Sequence, residues 1–213
     1  MARLPEAVLA RRAALPQKPE PVTLGGALVT LQPLTDEDLP GLHAVSNGAP
    51  VALGARACEA YDPEARVWRY MSGGPFAEVA ALAAWLAPIR NAPDSLALAV
   101  HLDGAPVGVA CFIANQPQHL KIELGSIWYG PIAQRTGASR EATQLMLAHA
   151  FALGYRRVEW KCDALNEPSR RAALSYGFTF EGIQDAHYII KDRNRDTAWY
   201  RILERDYAAR RTM

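Results

Sequence analysis

Apolar residues change period along the chain, and each change marks the border of an element. The run ALVTLQPL, beginning at Ala27, sets apolar side chains at alternate positions, as a half-buried strand requires. Thr35 then offers a helix N-cap, and Asp36, Glu37 and Asp38 suit the positive end of a short helix reaching His43 and Val45. Within FAEVAALAAWLAPIR, Val79, Leu82, Ala83 and Leu86 recur at helical spacing. SLALAVHL and APVGVACFIA are apolar runs joined at Asp103-Gly104, which predicts a hairpin. A strand from Leu120 to Tyr129, a helix in ATQLMLAHAFAL and a strand in RRVEWKCD come next. NEPSRRAALSYGF reads as a short helix stopped at Gly177, and FTFEGIQDAHYIIKD and DTAWYRILERDY read as two closing strands.

This order is strand, helices, three strands, helix, strand, helix, two strands. It predicts an α/β (α+β) domain with a mixed sheet and helices on its faces, not a regular βαβ repeat. Residues 1–24 carry Pro5, Pro16, Pro19 and Pro21 and read as an N-terminal arm, extended or holding a short surface helix. Residues 25–207 form a single domain, and 208–213 a C-terminal tail. Residues 46–76 show no clear period but hold Trp68, Tyr70, Met71 and Phe76. Aromatics there serve either as plugs of the core or as a wall facing a substrate.

At 213 residues the chain can bury one sizeable core. Its net charge of +1 supplies no global field for nucleic acid. Cys58, Cys111 and Cys162 lie far apart without a Cys-x-x-Cys pair, which suits buried thiols in a reducing compartment better than a disulfide framework. No apolar run reaches the ~18 residues of a membrane helix, and the proline-rich start does not read as a secretory signal. The expected location is the cytoplasm, with no nucleic-acid or membrane partner.

Between a predicted strand and a predicted helix lies GPIAQRTGASRE, residues 130–141. A helix start has about four N–H groups without partners and roughly half a positive charge. Small residues let an anion reach those amides; Gly137 allows a left-handed turn, and Arg135 and Arg140 bracket the opening with charge. The loop lacks the Gly-Lys-Ser/Thr ending of a P-loop and the G-x-G-x-x-G of a dinucleotide site. Taken alone, it is more simply explained by a turn without a ligand.

Trp128, Tyr129, Gln134, Gly137, Ser139, Glu141, Asn166, Ser169, Gly177 and Phe178 fall in one order and spacing. Over about 120–182 the sequence that carries them resembles the GNAT acyltransferase superfamily, in particular its RimJ/RimL-type branch. That resemblance implies a mostly antiparallel sheet of six to seven strands, with splayed central strands and helices on both faces. It implies acetyl-CoA as co-substrate, no metal, and acetyl transfer to a primary amine (a peptide N-terminus or a small amine) by direct attack in a ternary complex. The amides of Thr136, Gly137, Ala138, Ser139 and Arg140 would meet the pyrophosphate, with Gln134 and Arg135 at the entrance. The main chain at Ile127, Trp128 and Tyr129 would pair with the pantetheine arm, and Asn166 would contact the coenzyme.

Within the basic cluster of Arg156, Arg157, Arg170 and Arg171, Arg170 could reach the 3′-phosphate or simply lie on a solvated helix face. Two departures from the family pattern stand out. Ser139 occupies a position often held by Gly or Ala, and Ala173 stands where many members have a general-acid Tyr. Ser169 is the acid that the branch implies, with first-turn capping as its alternative role. Glu123, two residues before Gly125, could accept the amine proton or instead pair with a Lys such as Lys121. Trp68, Tyr70 and Phe76 are the candidates for acceptor binding. A non-catalytic acyl-CoA-binding module is the alternative that the vacant Tyr position permits, and a homodimer is compatible with the branch.

Overall fold

Apolar runs such as Leu96–Leu102, nearly continuous instead of alternating, call for strands covered on both faces. The computed structural model, which describes residues 3–211, builds such a layered sheet. In chain order the elements are α1 (Glu6–Ala14), β1 (Leu24–Gly25), β2 (Val29–Pro33) and α2 (Leu39–Ala44). A small hairpin of β3 (Val51–Leu53) and β4 (Arg56–Cys58) precedes α3 (Val79–Asn91). Then come β5 (Leu96–Leu102), β6 (Ala105–Gln116), β7 (Lys121–Tyr129), α4 (Ala138–Leu153) and β8 (Arg157–Asp163). The chain closes with α5 (Glu167–Tyr176), β9 (Thr179–Ile190), β10 (Arg193–Leu203) and α6 (Glu204–Arg211). The main sheet runs β1-β2-β5-β6-β7-β8-β10-β9. β7 and β8 are parallel and joined through α4; its other neighbours are antiparallel.

The expected sheet is present, with the two-residue β1 as its eighth strand. Within 46–76, where periodicity failed, the chain forms the β3–β4 hairpin and a five-residue π-helical turn at Glu64–Trp68. The final strand stops at Leu203 instead of running on to Tyr207, and α6 begins at once. The N-terminal arm carries α1 and is tied down. Arg11 Nη1 donates to Glu204 Oε1 (2.8 Å), and Asn115 Nδ2 donates to the carbonyls of Pro16 and Gln17 (both 2.9 Å). Asn115 is itself held by the Tyr155 hydroxyl at 2.6 Å.

Two apolar layers sandwich the sheet. Against α4, Leu31, Leu98, Phe112, Ile122, Leu124 and Val158 meet Ala142, Met146 and Ala150. On the other face, α2 and α3 bring Leu42, Leu82 and Leu86 onto Ala97, Ala99, Val109 and Trp128. No helix among the described residues is long and apolar enough to cross a membrane.

Glu141, in the first turn of α4, accepts the amides of Ala27, Leu28 and Val29 at 2.9, 2.7 and 2.8 Å and so fixes the start of β2. A Cβ at Gly26 would collide with that carboxylate. Burial opposes its charge, but the three amides outweigh burial and hold its pKa below the ordinary glutamate value. A depressed folded pKa adds stability above the unfolded carboxylate pKa of about 4.3, and that stability disappears as pH falls through the folded value. Glu141→Gln should therefore cost about 1 kcal/mol at pH 7. In urea titrations, the gap from wild type should close under acid conditions; a pH-independent gap would contradict this role.

Candidate functional site

β7 and β8 pair from Lys121↔Arg157 to Leu124↔Trp160 and then part, although both strands continue. The cause lies on the other edge of β7. Val109 of β6 faces Trp128 while Cys111 faces Gly125, so Ser126 and Ile127 together oppose the single residue Ala110. Ser126 takes a left-handed φ of 50°, and this bulge bends β7 away from β8. The gap widens into a cavity of about 420 Å³ whose wall includes Glu123, Ile127, Trp160, Lys161, Asn166 and Ser169. Beyond Leu124, the β8-side backbone edge of Ile127, Trp128 and Tyr129 has no strand partner. A Cβ at Gly125 would collide with Ile113 Cδ1 and sit 3.2 Å from Glu123 Oε1, so glycine keeps the carboxylate's surroundings open.

Glu123 lies at the floor of this cavity, 7% exposed. Its Oε2 is 2.7 Å from Lys161 Nζ, which also stands 3.9 Å over the Trp199 ring. Lys121, the lysine nearest in sequence, instead meets Glu159 at 3.3 Å. Burial raises the pKa of Glu123; Lys161 counters this, and the neighbouring Glu159 charge adds to the rise. A buried carboxylate with an elevated pKa at the floor of a cavity is suited to accepting a proton near neutral pH.

Asn166 caps α5 by accepting the Ser169 amide at 3.2 Å while also lining the cavity. Ser169 Oγ accepts from Trp160 Nε1 at 3.0 Å, which fixes the oxygen, and its hydroxyl also lies within hydrogen-bonding reach of the Cys162 thiol. Tyr176 hydrogen-bonds Ser139 Oγ at 3.0 Å and is absent from the cavity wall, and Ala173 is fully buried.

The loop reaches α4 through Arg135 at φ 63° and Gly137 at φ 95°, both left-handed. Thr136 Oγ1 donates to Ala133 O (2.7 Å) and accepts the Ala138 amide (3.2 Å), so one helix-start amide is met internally. Among the described residues, no protein acceptor meets the amides of Arg135, Thr136, Gly137, Ser139 or Arg140. Gln134 Nε2 donates to the carbonyls of Tyr129 and Arg66 (3.2 and 3.3 Å), bracing the loop from behind. Arg140 donates to Ser175 O at 3.2 Å and covers the Tyr176 ring. Arg170 is engaged by Tyr200, Ala164 and Glu167.

Tyr70 lines the cavity and donates to Leu165 O at 3.0 Å. Trp68 is fully buried, with Nε1 donating to Ser46 O, and Phe76 packs edge-on against it. Trp68 is therefore a plug of the core, the first of the two readings of that segment, and the half-buried Phe76 covers it. Sequence reasoning missed Lys161, Tyr188 and Arg195, all on the cavity wall. Glu159 and Lys161 alternate in RRVEWKCD, but only the parallel register reveals which carboxylate each cation meets. Among the described residues, no group of three His, Cys, Asp or Glu side chains could hold a metal ion.

A family model described as an acetyltransferase (GNAT) domain matches residues 29–179. The crystal structure of a GCN5-related N-acetyltransferase from Brucella melitensis is 36% identical, covering 90% of this chain and 83% of its own, with a TM-score of 0.80. A probable GNAT-family acetyltransferase from Chromobacterium violaceum is 31% identical, with 90% of each chain covered and a TM-score of 0.78. RimL, a ribosomal-protein α-N-acetyltransferase crystallised with coenzyme A, shares the fold at 16% identity and a TM-score of 0.62, covering 85% of this chain and 98% of its own. A search of curated proteins found no match.

Proposed function

The chain belongs to the GNAT acetyltransferase family, and on that premise we propose that it acetylates a primary amine with Glu123 as base and Ser169 as acid. The observation that carries this reading is the gap between β7 and β8, which has a buried carboxylate on its floor. Five amides without protein acceptors stand at the start of α4, the helix that follows β7.

The residues present fit acetyl-CoA. Amides of Thr136, Gly137, Ser139 and Arg140 would hold its pyrophosphate, with Gln134, Arg135 and Ala138 shaping the approach. The unpaired edge at Ile127, Trp128 and Tyr129 would take the amides of its pantetheine arm, and Asn166 would border it. When bound, acetyl-CoA supplies an acetyl group activated as a thioester. Glu123 removes the ammonium proton of the acceptor through Oε1, which has no hydrogen-bond partner among the described residues. Lys161, on the other oxygen, favours the ionised carboxylate that accepts this proton. Ser169 holds a proton at Oγ for the departing sulfur, its oxygen steadied by Trp160. Tyr70, over the cavity, borders the acceptor.

Calorimetric titration should show acetyl-CoA binding, and free thiol should appear when an amine is added. Gly137→Val forces a β-branched residue into a left-handed backbone and crowds the amides. It should weaken acetyl-CoA by about 10- to 100-fold, as expected for losing one charge-assisted contact or more. No binding by the wild type would refute the reading. Binding without thiol release across a broad amine panel would favour the non-catalytic module that the buried Ala173 permits.

A further inference from the structure

Seven buried side-chain N or O atoms among the described residues lack a hydrogen-bond partner, and four belong to the β9–β10 hairpin: His187 Nδ1, Arg195 Nε, Thr197 Oγ1 and Trp199 Nε1. Buried polar groups in folded proteins are overwhelmingly paired, so such a cluster calls for an outside partner. Arg195 and Thr197 line the cavity, two residues apart on β10. The Arg195 guanidinium makes no ion pair and no hydrogen bond with any described residue; it lies 5.6 Å from the centroid of the Tyr188 ring, and its charge also reaches the Cys162 thiol. Thr197 is fully buried.

The groups around them narrow the chemistry of that partner. Glu123 on the same wall is neutralised by Lys161, and Asp163 turns Oδ1 to the Leu165 amide at 2.8 Å. On the cavity wall Arg195 is a cation without an ion-pair partner, and its Nε can only donate, so the missing group is an acceptor, for which a carboxylate is the matching chemistry. Resting on the acetyltransferase reading, we infer that the acceptor amine carries a carboxylate, received by Arg195 with Thr197 at the end of the cavity away from Glu123. Arg195 is rooted four residues from Trp199, the ring beneath Lys161, or about 13 Å along an extended strand. Amine and carboxylate in a free α-amino acid are only about 2.5 Å apart, so a short peptide spans the interval better.

The test uses glycine, diglycine, triglycine and tetraglycine, each as the free acid and as the C-terminal amide. All are titrated calorimetrically into the protein in the presence of coenzyme A, and their KM values are measured with acetyl-CoA. Wild type should favour the acids by about 10- to 100-fold, with the preference growing beyond glycine. Arg195→Gln should erase the preference without altering acetyl-CoA affinity, and Arg195→Lys should restore part of it. Equal binding of acid and amide by wild type, a preference unchanged in Arg195→Gln, or no binding of any probe overturns the inference. Acetyl-CoA binding with no acid preference sinks this inference alone, whereas acid-selective binding without acetyl-CoA binding sinks the enzyme reading and leaves Arg195 as a carboxylate site without an acetyl-transfer role.

Discussion

Glu123→Gln should lower kcat by about 100- to 10,000-fold, the usual contribution of a positioned general base. The amide keeps the size of the carboxylate but cannot take the ammonium proton, so acetyl-CoA affinity should stay at the wild-type value. The wild-type pH profile carries a second signature. Burial lifts the Glu123 pKa, and although Lys161 works against this, the net direction is upward. The base is active when ionised, so kcat/KM should rise with pH along a limb placed above the ordinary glutamate value of about 4.3. Lys161→Met removes the cation 2.7 Å from the carboxylate and should move that limb further up. Unchanged turnover in Glu123→Gln would remove this residue from the chemistry and leave the proton to solvent.

Trp68→Ala should cost about 3–5 kcal/mol of folding stability. For a domain of this size, that corresponds to a fall in Tm of roughly 10 °C. The indole is fully buried, its N–H satisfied by Ser46 O at 2.8 Å, and it touches the rings of Phe76, Trp85 and Trp128 at centroid distances of 5.0, 5.5 and 4.9 Å. Removal would leave a cavity between α3 and the sheet and an unpaired carbonyl. Differential scanning calorimetry reads the loss directly. A variant that melts like wild type but shows a raised acceptor KM would put Trp68 at the substrate after all.

The architecture was largely legible because its punctuation is local. Asp103-Gly104 forms the hairpin as expected, both residues at positive φ. Gly154 and Gly177 end α4 and α5 in the left-handed conformation. Thr35 opens a 3-10 turn at Asp36–Asp38, its amide donating to Asp38 Oδ2 at 2.9 Å, and α2 follows only from Leu39, one turn later than its expected start. The loop before α4 could be located because small residues there break the apolar pattern. Segment 46–76 could not be read, since its order comes from tertiary ties: Trp68 to Ser46, Tyr70 to Leu165, and Lys191 to Glu64 and the Trp68 carbonyl, both at 2.8 Å. The partner of Glu123 was hidden for a similar reason. Parallel register sets Glu123 beside Glu159, which sends Lys121 to Glu159 and brings Lys161 diagonally to Glu123. Arg195 gave no signal, because an unpaired cation is recognised only once its surroundings are known.

The short parallel ladder between β7 and β8 has a mechanical consequence. With four residue pairs joining them, the sheet behaves as two plates: five strands on the β7 side and three on the β8 side. Each plate is knit by long antiparallel ladders, so the seam is the compliant line of the molecule. Anything lodged past Leu124 that hydrogen-bonds both plates acts as a rivet. A ligand that stiffens the whole sheet in this way couples its own affinity to the rigidity of strands it never touches.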